Sequence, residues 1–231
     1  MPPAGAGASG RGAAVPVGTR LLEAVAVGAA SGALGAAALA PLRWSGAGAL
    51  VAGANGVISG WRGVYDWRRA TGWAGAALDA TWGILGTAAG LAVHAASARS
   101  GGYLPELSER RGRHVYRRGW APRRGFAFAA GNVITNAGDP ARPRRRALVE
   151  RHETLHVWQQ RLFGPVFPAV YVLWAVGGAL TGTAVWLVRR EPDLYRVVER
   201  HAYYHNPFER WAYAADGNWP PPALRRPTPS G

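Results

Sequence analysis

Four stretches of the chain are apolar and almost free of charge. The first, "LLEAVAVGAASGALGAAALAPL" at 21–42, carries one acid, Glu23. The second, "SGAGALVAGANGVISGW" at 45–61, has no charge, and the third, "GWAGAALDATWGILGTAAGLAVHAA" at 72–96, has only Asp79. The fourth, "GPVFPAVYVLWAVGGALTGTAVWLV" at 164–188, is uncharged throughout. A bilayer core of ~30 Å takes ~20 apolar residues as a helix. The first, third and fourth runs reach that length, and the second is short. Each run carries two glycines four apart: Gly28/Gly32, Gly56/Gly60, Gly86/Gly90 and Gly178/Gly182. That spacing lets helix backbones approach closely in lipid. The pattern predicts two or three Gly/Ala-rich membrane helices over 20–96 and an apolar helix or broken hairpin over 164–190. Trp61, Trp67, Trp73, Trp174 and Trp186 lie in or beside these runs and suit an interfacial belt. Pro41 directly after "ALA" at 38–40 is a poor cleavage context, which favours an uncleaved membrane segment over a signal peptide.

Between the third and fourth runs, 97–163 is polar. Residues 126–129 and 132–135 read as short strands or one bent strand, with Gly131-Asn132 as a turn or bulge. Residues 143–163 read as a helix, preceded by the turn signal "GDP" at 138–140 and ended by Gly164-Pro165. Further helices are expected over 191–217, with Asn206 as a cap and Pro207 in the first turn. The Pro/Gly/Ala-rich N-terminus, 1–19, and the tail, 218–231, read as disordered. The fold class is therefore mainly α: membrane-associated helices with a small α+β element.

Charge refines this picture. All 27 basic residues are Arg, and the net charge is +14. The segment 97–163 holds 14 Arg against 5 acids, with "ERRGRHVYRRGWAPRR" at 109–124 as its basic core. Beside membrane segments, Arg excess marks the cytoplasmic side and favours contact with anionic lipid. Nucleic acid is not an expected partner, because Tyr116 and Trp120 are too few and too irregular for a stacking platform. The chain has no cysteine, so any metal must be held by His and carboxylate.

The helix at 143–163 supplies such ligands. In "RHETLHVWQQR" at 151–161, His152 and His156 stand four apart, on one helical face. Glu153 follows the first histidine. This is the HExxH arrangement, in which two imidazoles grip zinc and the glutamate serves as general base. The alternative is an exposed helical face whose His and Glu are merely solvated.

Together, "AFAAGNVI" and "RRALVERHETLHVWQQ" resemble a bacterial zincin-like metallopeptidase family that pairs an Ala-Phe-x-x-Gly-Asn-x-Ile strand with a His-Glu-Leu-Thr-His-Val-x-Gln-Gln helix. The likeness covers about residues 127–160 and departs at Thr154-Leu155, where the family has Leu-Thr. The resemblance implies Zn2+ on His152 and His156, with Glu153 as base. It also implies a strand beside the site, here Phe128, Gly131, Asn132 and Ile134, that holds an extended peptide or protein substrate.

A third ligand is expected from 191–217. Glu209, followed three positions on by Ala212, fits the family pattern. The spacing Asn206-x-x-Glu209 is equally that of a capping box, in which the acid would bond only its own helix start. Glu199 is the reserve ligand, and His201 and His205 are a second i,i+4 pair without an adjacent acid. One plain span over 164–188 would leave Glu209 across the membrane from His152. A hairpin broken at Gly177-Gly178 would bring it back.

The expectation is thus a membrane-associated zinc metallopeptidase at the cytoplasmic face of a bacterial inner membrane. The alternative is a non-catalytic Gly-zipper scaffold with a structural or vestigial zincin-like site.

Overall fold

The computed structural model describes residues 16–99, 101–123, 125–221 and 224. Residues 1–15 and 225–231, where most of the expected terminal disorder falls, lie outside the described residues. Helix α1 (Val17–Leu39) already includes residues 17–19 of the segment read as disordered, and it runs on through a short 3-10 turn to Leu42. Arg43 reverses the chain in the left-handed region (φ 61) into α2 (Ser45–Trp61). The two helices form an antiparallel hairpin closed by glycine. A Cβ at Gly35 would collide with the Gly48 carbonyl, and one at Gly60 with the Glu23 carbonyl, so backbone packs directly on backbone. The base of the hairpin is tied by Glu23. It accepts from Arg110 at 2.6 Å and from the Trp67 indole at 2.7 Å.

The third apolar run is not one straight helix. It divides into α3 (Ala70–Ala80) and α4 (Ile84–Ser97), bent by 87°. Asp79 explains the break: its carboxylate is buried and faces Arg161, at 2.8 and 2.7 Å, while its own carbonyl accepts from the Thr87 hydroxyl. A single acid in an apolar run needs a partner, and the chain turns where that partner is reached. Two helical segments, Val17–Leu42 and Val166–Arg189, are long and apolar enough to cross a membrane.

A three-stranded sheet follows, in the order β1-β3-β2: β1 (His114–Val115), β2 (Phe128–Ala130) and β3 (Val133–Thr135). β2 and β3 are the expected hairpin, with Gly131 at φ +53 in the two-residue turn. β1 was not anticipated. It runs parallel to β3 inside the Arg-rich stretch, where two residues leave no alternation to read. The centre of that basic core is consequently interior, not a lipid-facing patch: Arg113, His114, Val115 and Tyr116 are all buried. Leu107, Val115, Ile134, Val149 and Val157 form the core between the sheet and the HExxH helix.

That helix comprises α5 (Pro143–Ala147), a π-helical turn (Leu148–Glu153) and α6 (Thr154–Phe163), as one continuous element ended at Gly164. Thr154 donates its hydroxyl to the Val149 carbonyl at 2.6 Å, satisfying a group within the widened turn. Helix α7 (Val166–Arg189) then runs unbroken through Gly177-Gly178, which corrects the expected break. The reversal comes later, at Arg190 (φ 50). From there α8 (Leu194–Glu199) and a second π turn (Arg200–Tyr204) pack back along α7. Gly178 and Gly182 permit this: a Cβ at either would meet the backbone at Ala202 or Val198. The last helix, α9 (Pro207–Ala215), therefore starts near the beginning of α7.

Candidate metal centre

The returning chain places Glu209 against the HExxH helix. His156 Nε2 lies 3.2 Å from His152 Nε2 and 3.4 Å from Glu209 Oε1. His152 Nε2 lies 3.6 Å from Glu209 Oε2. Ligand atoms at about 2.0–2.1 Å from one tetrahedral zinc stand about 3.3 Å from each other. Each of these separations is close to that ligand–ligand spacing, with one Glu209 oxygen facing each histidine, and all three residues are buried. Glu209 Oε2 has no hydrogen-bond partner among the described residues. A buried carboxylate oxygen facing two imidazoles fits a cation between them.

Surrounding groups fix the orientation of these ligands. The Gln159 amide donates to the Phe208 carbonyl at 3.0 Å, which leaves its oxygen to accept from His156 Nδ1 at 2.8 Å. That contact assigns the proton to Nδ1 and frees Nε2 as a ligand. The same side chain links α6 to α9 beside Glu209. Tyr171 donates to Glu209 Oε1 at 2.8 Å. Asp216, buried and paired with Arg144 at 2.9 Å, lies 3.8 Å from His152 Nδ1, beyond hydrogen-bond distance, and that nitrogen has no hydrogen-bond partner among the described residues.

The capping-box alternative for Glu209 is not what forms. Asn206 caps α9 by accepting from Phe208 N at 3.0 Å, and Glu209 turns to the histidines. Glu199 is not with the ligands. It pairs with Arg123 at 2.5 Å, on the wall of the adjacent cavity. His201 and His205 stack edge-on, and His201 bonds its own helix at the Val197 carbonyl.

Electrostatics at the site are strongly coupled. Burial opposes the charged form of His156, but the Glu209 carboxylate overcomes it and pushes the imidazole up to about 9. Burial likewise opposes ionisation of Glu209, and His156 and His152 hold its carboxyl well below the usual range. Glu153 is raised, chiefly by burial.

His152, Glu153, His156 and Glu209 line a cavity of about 870 Å³. Its remaining wall is largely apolar and includes Leu85, Phe126, Phe167, Val172 and Val198. Of the four residues expected to hold substrate, Phe128 lines this cavity, while Gly131, Asn132 and Ile134 do not. Ile134 is fully buried in the core, and the Gly131 N–H is taken by Gln160 Oε1 at 2.7 Å. Asn132 donates to Asn55 at 3.0 Å and reaches Asp79 at 3.3 Å, so it joins the sheet turn to the apolar helices. β2 is an edge strand of the sheet and packs beside α6.

Sequence reasoning did not single out Gln159, Tyr171, Asp216 or the Asp79–Arg161 pair. Gln159 stands in the quoted motif, and Asp79 was conspicuous as the lone charge in its run. Tyr171 and Asp216 had no local signal. No family model, curated protein or solved structure matches this chain.

Proposed function

We propose that the protein is a membrane-associated zinc metallopeptidase with its site beside the bilayer. The observation that carries the reading is the buried triangle of His152, His156 and Glu209 donor atoms, 3.2–3.6 Å apart, floored into a peptide-sized cavity. These three residues would hold zinc, and the HExxH spacing with its neighbouring strand supports the likeness to the zincin-like family. Zinc supplies Lewis-acid polarisation of a bound water, lowering its pKa to ~7.

The chain's own residues do the rest. Glu153 shares the cavity with the ligands and would take the proton of a water that attacks the peptide carbonyl, then pass it to the amine released as the C–N bond breaks. Gln159 fixes His156, and Tyr171 fixes Glu209. β2 is an edge strand beside the cavity, and an extended peptide could lie along it, although the Ala129 carbonyl on that edge already accepts from Gln160 at 3.1 Å. Two apolar helices of membrane-crossing length support a membrane location.

The purified protein should bind one zinc and hydrolyse peptides. Glu209→Ala should lose the metal. Glu153→Gln should keep the metal while hydrolysis falls ~10²–10⁴-fold. Stoichiometric zinc without hydrolysis of a broad peptide library would sink the enzymatic reading and leave the scaffold.

A further inference from the structure

We propose that α7, although long enough to cross a bilayer, does not cross it. It lies along the membrane surface with one face in lipid, and its return segment faces water. The proposal rests on the membrane association proposed above, not on the peptidase chemistry.

The return segment carries the argument. A Cβ at Gly178 would meet the backbone at His201 and Ala202, and one at Gly182 the backbone at Val197 and Val198. Gly178 lies about 18 Å along α7 from Val166, at 1.5 Å per residue. If α7 stood upright in a bilayer, the return would run through the hydrocarbon. Yet it exposes Asp193, Arg196, Arg200 and His205. The Arg196 side chain is 81% exposed, and its ion pair with Asp193, at 3.3 Å, lies at the surface. Exposed charges of this kind are strongly disfavoured against acyl chains.

The opposite side of α7 has the complementary character. Val166, Val170, Leu173, Val176, Leu180 and Leu187 are exposed along one stripe of the helix, and exposed Val172 and Trp174 widen that apolar arc on either side. Tyr171, Gly178 and Gly182 form the other face, turned to α9 and the return. An interfacial helix needs an apolar face and a polar one. Here α7 supplies the first, and the packed return supplies the second. Arg189 and Arg190 end the helix where anionic headgroups would meet them. Phe167 and Val172 of α7 also line the metal cavity, so this orientation sets the cavity at the lipid surface. Both ends of α7, and with them His152 and Glu209, then share one side of the membrane without a break in the helix.

The chain has no cysteine, so single-cysteine variants report without background. Arg142→Cys marks the metal helix, and Arg190→Cys marks the far end of α7. In sealed membrane vesicles holding the full chain, an impermeant maleimide should label both from the same face. Labelling from opposite faces overturns the proposal. Because Arg190 occupies the left-handed turn, Glu191→Cys is a second probe of the same tip and must agree. A chain that fractionates as soluble overturns the proposal together with the membrane reading, whereas retained zinc and hydrolysis would leave the peptidase reading standing.

Discussion

Gln159 reaches two elements with one amide, and its removal separates ligand orientation from ligand identity. Gln159→Leu keeps both imidazoles and the Glu209 carboxylate. It removes the acceptor on His156 Nδ1 and leaves the Phe208 carbonyl without its donor. Loss of such an outer-shell partner typically weakens metal binding 10–100-fold. Competition with a chromogenic chelator should show a drop of about that size, with one-to-one stoichiometry retained. Affinity equal to the parent's would mean that Gln159 only fills space. At this scale the sequence was informative where chemistry is local. His152, Glu153 and His156 occupy one helical stretch, so their proximity follows from helix geometry. Glu209 was legible only as a candidate, because capping and ligation need the same residue at the same spacing. Its choice is made by α9's position against α6, which local propensity does not set.

The Asp79–Arg161 pair works between elements. It joins the bend between α3 and α4 to the metal helix, and Asn132 adds the sheet turn to the same cluster. Both ionic side chains are buried, at 2% and 3% exposure. Removing one partner leaves an unpaired buried charge, which costs about 3–5 kcal/mol, whereas replacing both with apolar residues is often neutral. Arg161→Met should therefore lower the melting temperature in detergent sharply, and the double variant Asp79→Leu/Arg161→Met should recover part of it, since the Tyr65 hydroxyl and the Gly112 carbonyl still lose a partner. Equal losses in the two variants would show that packing, not charge, holds this junction. Apolar runs and helical spacing made α1, α2 and the HExxH helix legible to within a few residues, and they placed the bounds of α7 but not its continuity. The bend at 81–83, the unbroken α7 and β1 were not. Each depends on a partner distant in sequence: Arg161 for the bend, the α8 return for α7, and β3 for a two-residue strand.

For the whole molecule, the buried group of His152, His156 and Glu209 links the stability of the chain to pH. His156, raised by Glu209 to about 9 from 6.5, binds its proton more tightly in the folded state. Its contribution is fully present below pH 6.5 and is lost as pH rises through about 9. Glu209 is lowered, so its contribution is present above its ordinary 4.5 and lost as pH falls. Chelator-treated protein should thus melt at progressively lower temperature between pH 7 and 9.5. Zinc-loaded protein should not show that slope, because its imidazoles are held neutral by the metal. A flat profile after chelation would contradict the coupling of His156 to Glu209. By itself the sequence determined that the chain is mainly helical, largely apolar, free of thiol chemistry and provided with a pair of histidines one helical turn apart. These are consequences of composition and of the 3.6-residue period, which act within a few neighbours. The tertiary structure alone decided that Glu209 joins the two histidines, that the basic run is half interior, and that the segment after α7 packs back along it to the start of that helix. Those outcomes depend on burying charge against charge and backbone against backbone across many tens of residues, and no short window of sequence contains both partners.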